Sequence, residues 1–152
     1  MKLEVGQRFP DFSLKNAEGL IKNLRDYRGK KLILYFYPRD DTSGCAKEAC
    51  SLRDGYAVLQ KAGFAVVGVS SDPQESHRKF KVKYGLPFEL LCDEDHAFAE
   101  KCGVWVKKSM YGDEYMGIAR TTFVIDEKGI ILHIIPKVNV DEHTEQILVL
   151  VR

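Results

Sequence analysis

The run LILYFY, Leu32 to Tyr37, does most to limit the fold of this chain. A strand with one face in water alternates apolar and polar residues, whereas a short continuous apolar run is how a strand covered on both faces reads. Pro38 ends the run. Asp40, Asp41 and Thr42, which come next, are all helix-capping types. The stretch AKEACSLRDGYAVLQKAG beyond them has good helix formers, apolar residues at helical spacing (Leu52, Tyr56, Leu59) and Gly63 as a stop.

The same alternation continues along the chain. Ahead of the run lies a short β region, DFSL and IKNL across an Asn-Ala-Glu-Gly turn. After it come an apolar strand FAVVGVSS, a polar helix from Pro73 to about Tyr84, a strand FELLCD and a short helix near Ala97 to Cys102. A loop containing Lys, Gly and Met follows. TTFVID and IILHIIP then flank Glu127, Lys128 and Gly129 as a hairpin, and DEHTEQILVLV closes the chain as a helix. This order predicts an α/β fold with a central mixed β-sheet flanked by helices and an N-terminal β extension, compatible with a thioredoxin-like fold. The length suits one domain, residues 1–152.

Cys45 falls in or near the first turn of the helix after the apolar strand. Backbone N–H groups there lack intrahelical partners and the helix dipole is positive, so a thiolate is favoured over a thiol. That cysteine is expected to be reactive. Cys50 is five residues on, about 140° around a helix, with its Cα roughly 8 to 9 Å from that of Cys45. A disulfide needs Cα atoms within about 7 Å, so the two can bond only if the helix start unwinds. The plainer alternative is that Cys50 is a small buried apolar residue.

Composition excludes several functions. The formal net charge is +1 with the two signs interspersed, which leaves no basic stripe for nucleic acid and no polybasic arm for a membrane. The sequence holds neither an apolar core of signal-peptide length nor a membrane-spanning run, so the default expectation is a cytoplasmic protein. Four cysteines without a secretory signal point to free or catalytic thiols rather than a disulfide framework.

The stretch Pro38 to Cys45 resembles the Pro-x-x-x-Thr-x-x-Cys motif of peroxiredoxins. YFYPRDDTSGCAKEAC, with its second cysteine five residues on, FAVVGVSSD and GIARTTFVID together resemble the bacterioferritin comigratory protein, or PrxQ, branch, over essentially the whole chain. The resemblance implies a thiol peroxidase acting on hydrogen peroxide and small organic hydroperoxides. Cys45 would be the peroxidatic cysteine and Cys50 the resolving one. Thr42 would orient the peroxide, Pro38 shield the thiolate, and Arg120 fix thiolate and substrate, with Glu48 positioning Arg120. The resemblance also implies recycling by thioredoxin or a similar dithiol, no cofactor, and a monomer or weak dimer. Ser43 stands where the branch usually has proline, and Ala46 where it usually has threonine; neither change removes a catalytic group.

These roles also have chemical reasons. Arginine keeps its charge and offers a fixed fork of donors, so one guanidinium can reach both a thiolate and a peroxide oxygen. Lowering a cysteine pKa from ~8.5 to ~6 raises the thiolate fraction at pH 7 roughly thirty-fold, but the weaker nucleophile loses roughly ten-fold. Most of the rate must therefore come from donors that hold the peroxide in line: Arg120, Thr42 and the N–H groups around Gly44 and Cys45. For Thr42 the plain alternative is an N-cap, for Pro38 a strand terminator, and for Arg120 a solvated surface arginine.

Cys92, His96 and Cys102 form a Cys-x3-His-x5-Cys pattern with no obvious fourth ligand, and no metal is expected there. Cys102 is a weaker candidate for resolving thiol than Cys50. His77, His133 and His143 suggest no cluster, and Trp105, Met110, Tyr111, Tyr115 and Met116 suit either a contact surface or ordinary packing. Two other functions compete: a general thiol–disulfide oxidoreductase, for which Cys-x-x-Cys is missing, and a redox-sensing interaction protein switched by a Cys45–Cys50 bond.

Overall fold

A computed structural model describes residues 2–151; Met1 and Arg152, the ends of the expected domain, lie outside the described residues. The strands are β1 (Ser13–Asn16), β2 (Ile21–Asn23), β3 (Lys31–Phe36), β4 (Phe64–Ser70), β5 (Glu89–Cys92), β6 (Trp105–Met110), β7 (Asp113–Ile118), β8 (Thr121–Ile125) and β9 (Ile131–Ile135). The helices are α1 (Ser43–Asp54), α2 (Tyr56–Lys61), α3 (Gln74–Tyr84), α4 (Ala97–Lys101) and α5 (His143–Val151). Seven strands form one mixed sheet in the order β2-β1-β5-β4-β3-β8-β9. Its centre is parallel (β3 with β4, β4 with β5), and antiparallel pairs complete both edges. This is the expected α/β class, with the N-terminal hairpin as the β extension.

The apolar run resolves into two interleaved half-runs. Leu32, Leu34 and Phe36 point into a core with Phe9, Phe98 and Phe123. Ile33, Tyr35 and Tyr37 point into a second core with Leu52, Leu59, Phe80 and Ile147. Successive side chains of a strand face opposite ways, so two-sided cover requires apolar residues at every position. The second core holds α1, α2, α3 and α5, and the first holds α4 and the N-terminal segment.

Three expectations are corrected. The loop expected after Cys102 is an antiparallel ribbon, β6–β7, turning at Tyr111 and Gly112, both with positive φ (53° and 84°). That two-residue geometry matches the right-handed twist of a hairpin. The ribbon was hard to read because most of its residues are exposed and no apolar face marks its period. The first β-strand lies two residues later than DFSL, where Asn16 Oδ1 accepts the backbone N–H groups of Glu18 and Leu20 and so builds the turn.

The long helix expected after Cys45 breaks at Gly55. Thr144 of α5 occupies the space a side chain would need: a Cβ on Gly55 would lie 2.2 Å from Thr144 Cγ2. Thr144 also bolts α5 to α1, its hydroxyl donating to the Ser51 carbonyl (2.7 Å) and its backbone N–H to Ser51 Oγ (3.1 Å). Gly55→Ala is expected to destabilise the protein by about 2 kcal/mol, read as a lower urea midpoint at unchanged m-value. An unchanged midpoint would show that α5 yields freely.

Candidate active site

β3 delivers the chain to the start of α1, where Cys45 is the third helical residue and 1% exposed. β8 runs antiparallel beside β3 with Thr121 opposite Phe36, which sets Arg120 next to the same end of β3. The Arg120 guanidinium bridges two groups on α1: Nη2 donates to Cys45 Sγ (3.4 Å) and Nη1 to Glu48 Oε1 (2.6 Å). Glu48 follows Cys45 by three residues, on the same helical face, and is fully buried. Burial pushes its carboxyl up to about 7 against the pull of Arg120. Arg120 itself is held above its ordinary value, since Glu48 and Cys45 outweigh the effect of burial. Gly44 leaves room for this clamp, because a Cβ there would sit 3.1 Å from Arg120 Nη2.

Cys45, Glu48, Gly44 and Arg120 are therefore brought together. Thr42 has N-cap backbone angles, yet its hydroxyl caps nothing and donates instead to the Arg39 carbonyl (3.0 Å). Pro38 follows β3 half-buried, and Cys50 lies half-buried further along α1; both cysteines are free. Cys102 sits in the core on the opposite face of the sheet from Cys45. Burial pushes its thiol far up, with Asp93 adding to the effect. Cys92 ends β5, buried, while His96 stacks on Trp105 at 3.9 Å.

Other site neighbours were not foreseen. Lys108 on β6 is lowered by burial and by the nearby Arg120, with Cys45 pulling the other way. Behind Glu48 stand His143 of α5 (3.5 Å from Glu48 Oε2) and Tyr35 of β3, whose buried hydroxyl has no partner. Lys108 and His143 come from elements remote in sequence from α1, and no local motif announces them; Tyr35 lies on the strand just before α1, on the face that packs with Cys45.

The loop between β3 and α1 is braced from below. The Asp40 carboxylate accepts from Tyr37 Oη (2.5 Å), Ser76 Oγ (2.8 Å) and His77 Nδ1 (2.7 Å). His77 Nε2 faces the Leu91 carbonyl at 2.8 Å. Both ring nitrogens thus face acceptors, which makes the ring an imidazolium and Asp40–His77 a buried ion pair. Burial alone would depress His77, but the hydrogen bonds to Asp40, Cys92 and Leu91 raise it to about 10. The Asp40 N–H donates to Asp72, and Asp41, at φ 57°, bonds Lys83 and Tyr84. Asp40, Asp72 and His77 are also the one group among the described residues with metal-ligand spacing, and each of these side chains is engaged in the brace.

The family model of the AhpC/TSA family matches residues 5–134. The chain belongs to that family, in its Bcp/PrxQ peroxiredoxin branch. A bcp homologue from Coxiella burnetii is 51% identical, covering 97% of this chain and 98% of its own. Peroxiredoxin Bcp of Bacillus subtilis is 46% identical over 97% and 94%. Among solved structures, the bacterioferritin comigratory protein of Xanthomonas campestris superposes with a TM-score of 0.85 at 34% identity, covering 91% and 88%. The sheet and flanking helices of this peroxiredoxin are thus those of a thioredoxin-like Bcp/PrxQ protein. No helix among the described residues is long and apolar enough to cross a membrane.

The brace has a measurable signature. The folded value of His77, about 10, lies above the ~6.5 of an unfolded histidine. Its stabilisation is therefore whole below about pH 6.5 and is lost as the pH rises through 10, amounting to a few kcal/mol. Urea midpoints should fall over that range more steeply for the wild type than for the Asp40→Ala/His77→Leu double variant. Equal slopes would mean that the pair does not titrate with folding.

Proposed function

We propose that this peroxiredoxin is a thiol peroxidase in which Cys45 attacks the peroxide and Cys50 resolves the product. The observation that carries the reading is the Arg120 guanidinium held against Cys45 Sγ and fixed from behind by buried Glu48. A group so placed stabilises the thiolate and meets the oxygen on which charge develops. The thiolate attacks one oxygen of the O–O bond, giving Cys45 sulfenic acid and releasing an alcohol or water once the leaving oxygen is protonated. Cys50 then condenses with the sulfenic acid, forming a disulfide and one water. A dithiol such as thioredoxin reduces that disulfide by exchange. The Xanthomonas campestris relative is described by its alkyl peroxide reduction activity, which supports small organic hydroperoxides beside hydrogen peroxide as substrates here.

Thr42 serves as the hydroxyl facing the peroxide and Pro38 as cover for the thiolate in this scheme. The hydrogen bond from Thr42 to Arg39 keeps the hydroxyl at the helix start, from where it can pivot to substrate. In stopped-flow mixing with stoichiometric peroxide, the wild type should react far faster than free cysteine, and Cys45→Ser should abolish the reaction. Cys50→Ser should keep the first turnover and stop recycling by thioredoxin. A fully active Cys45→Ser variant would sink the assignment. Loss of recycling without any fast peroxide step would favour the oxidoreductase or sensor alternatives.

The disulfide also demands a change of shape. Cys45 and Cys50 lie on one continuous helix, too far apart to bond, while Ser51 beyond them is bolted to Thr144 and Arg53 Nη1 donates to the Tyr84 carbonyl (2.8 Å). Oxidation is therefore expected to melt α1 from Thr42 to Cys50 and to stop at that bolt. Amide exchange should accelerate in the oxidised protein over residues 42–50, with smaller changes beyond. Identical exchange in the two redox states would refute this.

A further inference from the structure

His143 is fully buried at the start of α5, and its tautomer can be read from its neighbours. Gln146 Oε1 accepts the Asn139 N–H (2.9 Å) while Gln146 Nε2 donates to the Lys137 carbonyl (2.8 Å), which fixes the orientation of the amide. His143 Nδ1 faces that same Oε1 at 2.9 Å and must therefore carry a proton. Nε2 of the neutral ring is then an acceptor. It lies 2.7 Å from Thr122 Oγ1 and 3.5 Å from Glu48 Oε2, with neither His143 nor Glu48 open to water.

This junction is one hydrogen short. With Glu48 ionised, the Thr122 hydroxyl supplies the one hydrogen bond made to the two buried acceptors Nε2 and Oε2, and the Tyr35 hydroxyl bonds neither. Glu48 Oε2 is indeed left without a partner. An unsatisfied buried acceptor is unfavourable, and a buried charge more so. On the other side of the carboxyl, Arg120 already serves two groups, Glu48 and Cys45.

We propose that His143 is a positioning residue for the peroxide reaction: the Glu48–His143 contact holds one proton, leaving the Arg120 charge to the Cys45 thiolate and the peroxide. This rests on the peroxidase reading given above. Burial pushes His143 down to about 4 and Glu48 up to about 7, so the proton rides on the carboxyl. The charged and titratable groups around Glu48 are Arg120 before β8, His143 on α5, Tyr35 on β3 and Cys45 on α1, with Lys108 of β6 beyond Arg120. Burial keeps Tyr35 protonated through neutral pH.

When Glu48 loses this proton, thiolate and carboxylate compete for one guanidinium and the peroxide step slows. The test is the pH dependence of the single-turnover peroxide rate in the wild type, Glu48→Gln, His143→Phe and the double variant. The wild type should lose roughly three- to ten-fold on the alkaline side of Glu48 titration, and Glu48→Gln should lack that limb. His143→Phe removes the acceptor and should move the limb to lower pH, yet change the rate less than about two-fold in the Glu48→Gln background. An equal loss in both backgrounds, or an alkaline limb unchanged in Glu48→Gln, would overturn the proposal and leave His143 a packing residue. Should His143→Phe not fold, infrared difference spectra decide: a protonated-carboxyl band present in the wild type below neutrality and missing in Glu48→Gln supports the proposal, and its absence from the wild type refutes it. A wild type that does not consume peroxide would defeat the peroxidase reading instead, and the infrared band would still test the proton.

Discussion

The fold depends on β3 being covered on both faces. A strand with apolar residues at every position cannot border water, so helices and the N-terminal segment must close over the two sides of the sheet. The polar groups of the candidate site are then left the rim where β3 ends. Cys45 enters there on the first turn of α1, and Arg120 arrives at the same level on the antiparallel neighbour β8. A sulfur and a guanidinium separated by 75 residues of sequence thus meet through sheet register rather than through any local motif.

Within that rim, electrostatics are arranged around a shortage of positive charge. One guanidinium faces both the sulfur of Cys45 and the carboxyl of Glu48, and all three groups are at least partly removed from water. In such surroundings small changes in protonation redistribute large interactions. The helical spacing of Cys45 and Glu48 makes the competition unavoidable, because residues three apart share a face. Part of the reason these groups stay in place is mechanical. Thr144 secures the far end of α1, and Gly55 lets α5 approach closely enough to do so.

The sequence disclosed the features written in contiguous residues. The two-sided strand, the cysteine at a helix start, the closing hairpin and the family motif from Pro38 to Cys45 were all legible, because each rests on local period or spacing. The β6–β7 ribbon was not, since an exposed hairpin carries no apolar alternation. His143 and His77 were set aside as scattered, and both are fully buried with several polar partners. Their roles come from long-range packing, which brings α3 under the loop after β3 and α5 behind Glu48. The spacing argument for Cys45 and Cys50 was sound because both fall within α1, whereas the break at Gly55 required knowledge of what lies against it.

The buried Asp40–His77 pair bears on substrate size. A peroxide offers two oxygen atoms and few handles, so it contributes little binding energy with which to assemble a site around itself. A site for so small a molecule has to be ready before the molecule arrives. Asp40 and Asp41 tie the approach to α1 to α3, and they do so with interactions formed during folding rather than on encounter. The folded chain thus supplies in advance the order that a larger substrate would impose by its own contacts.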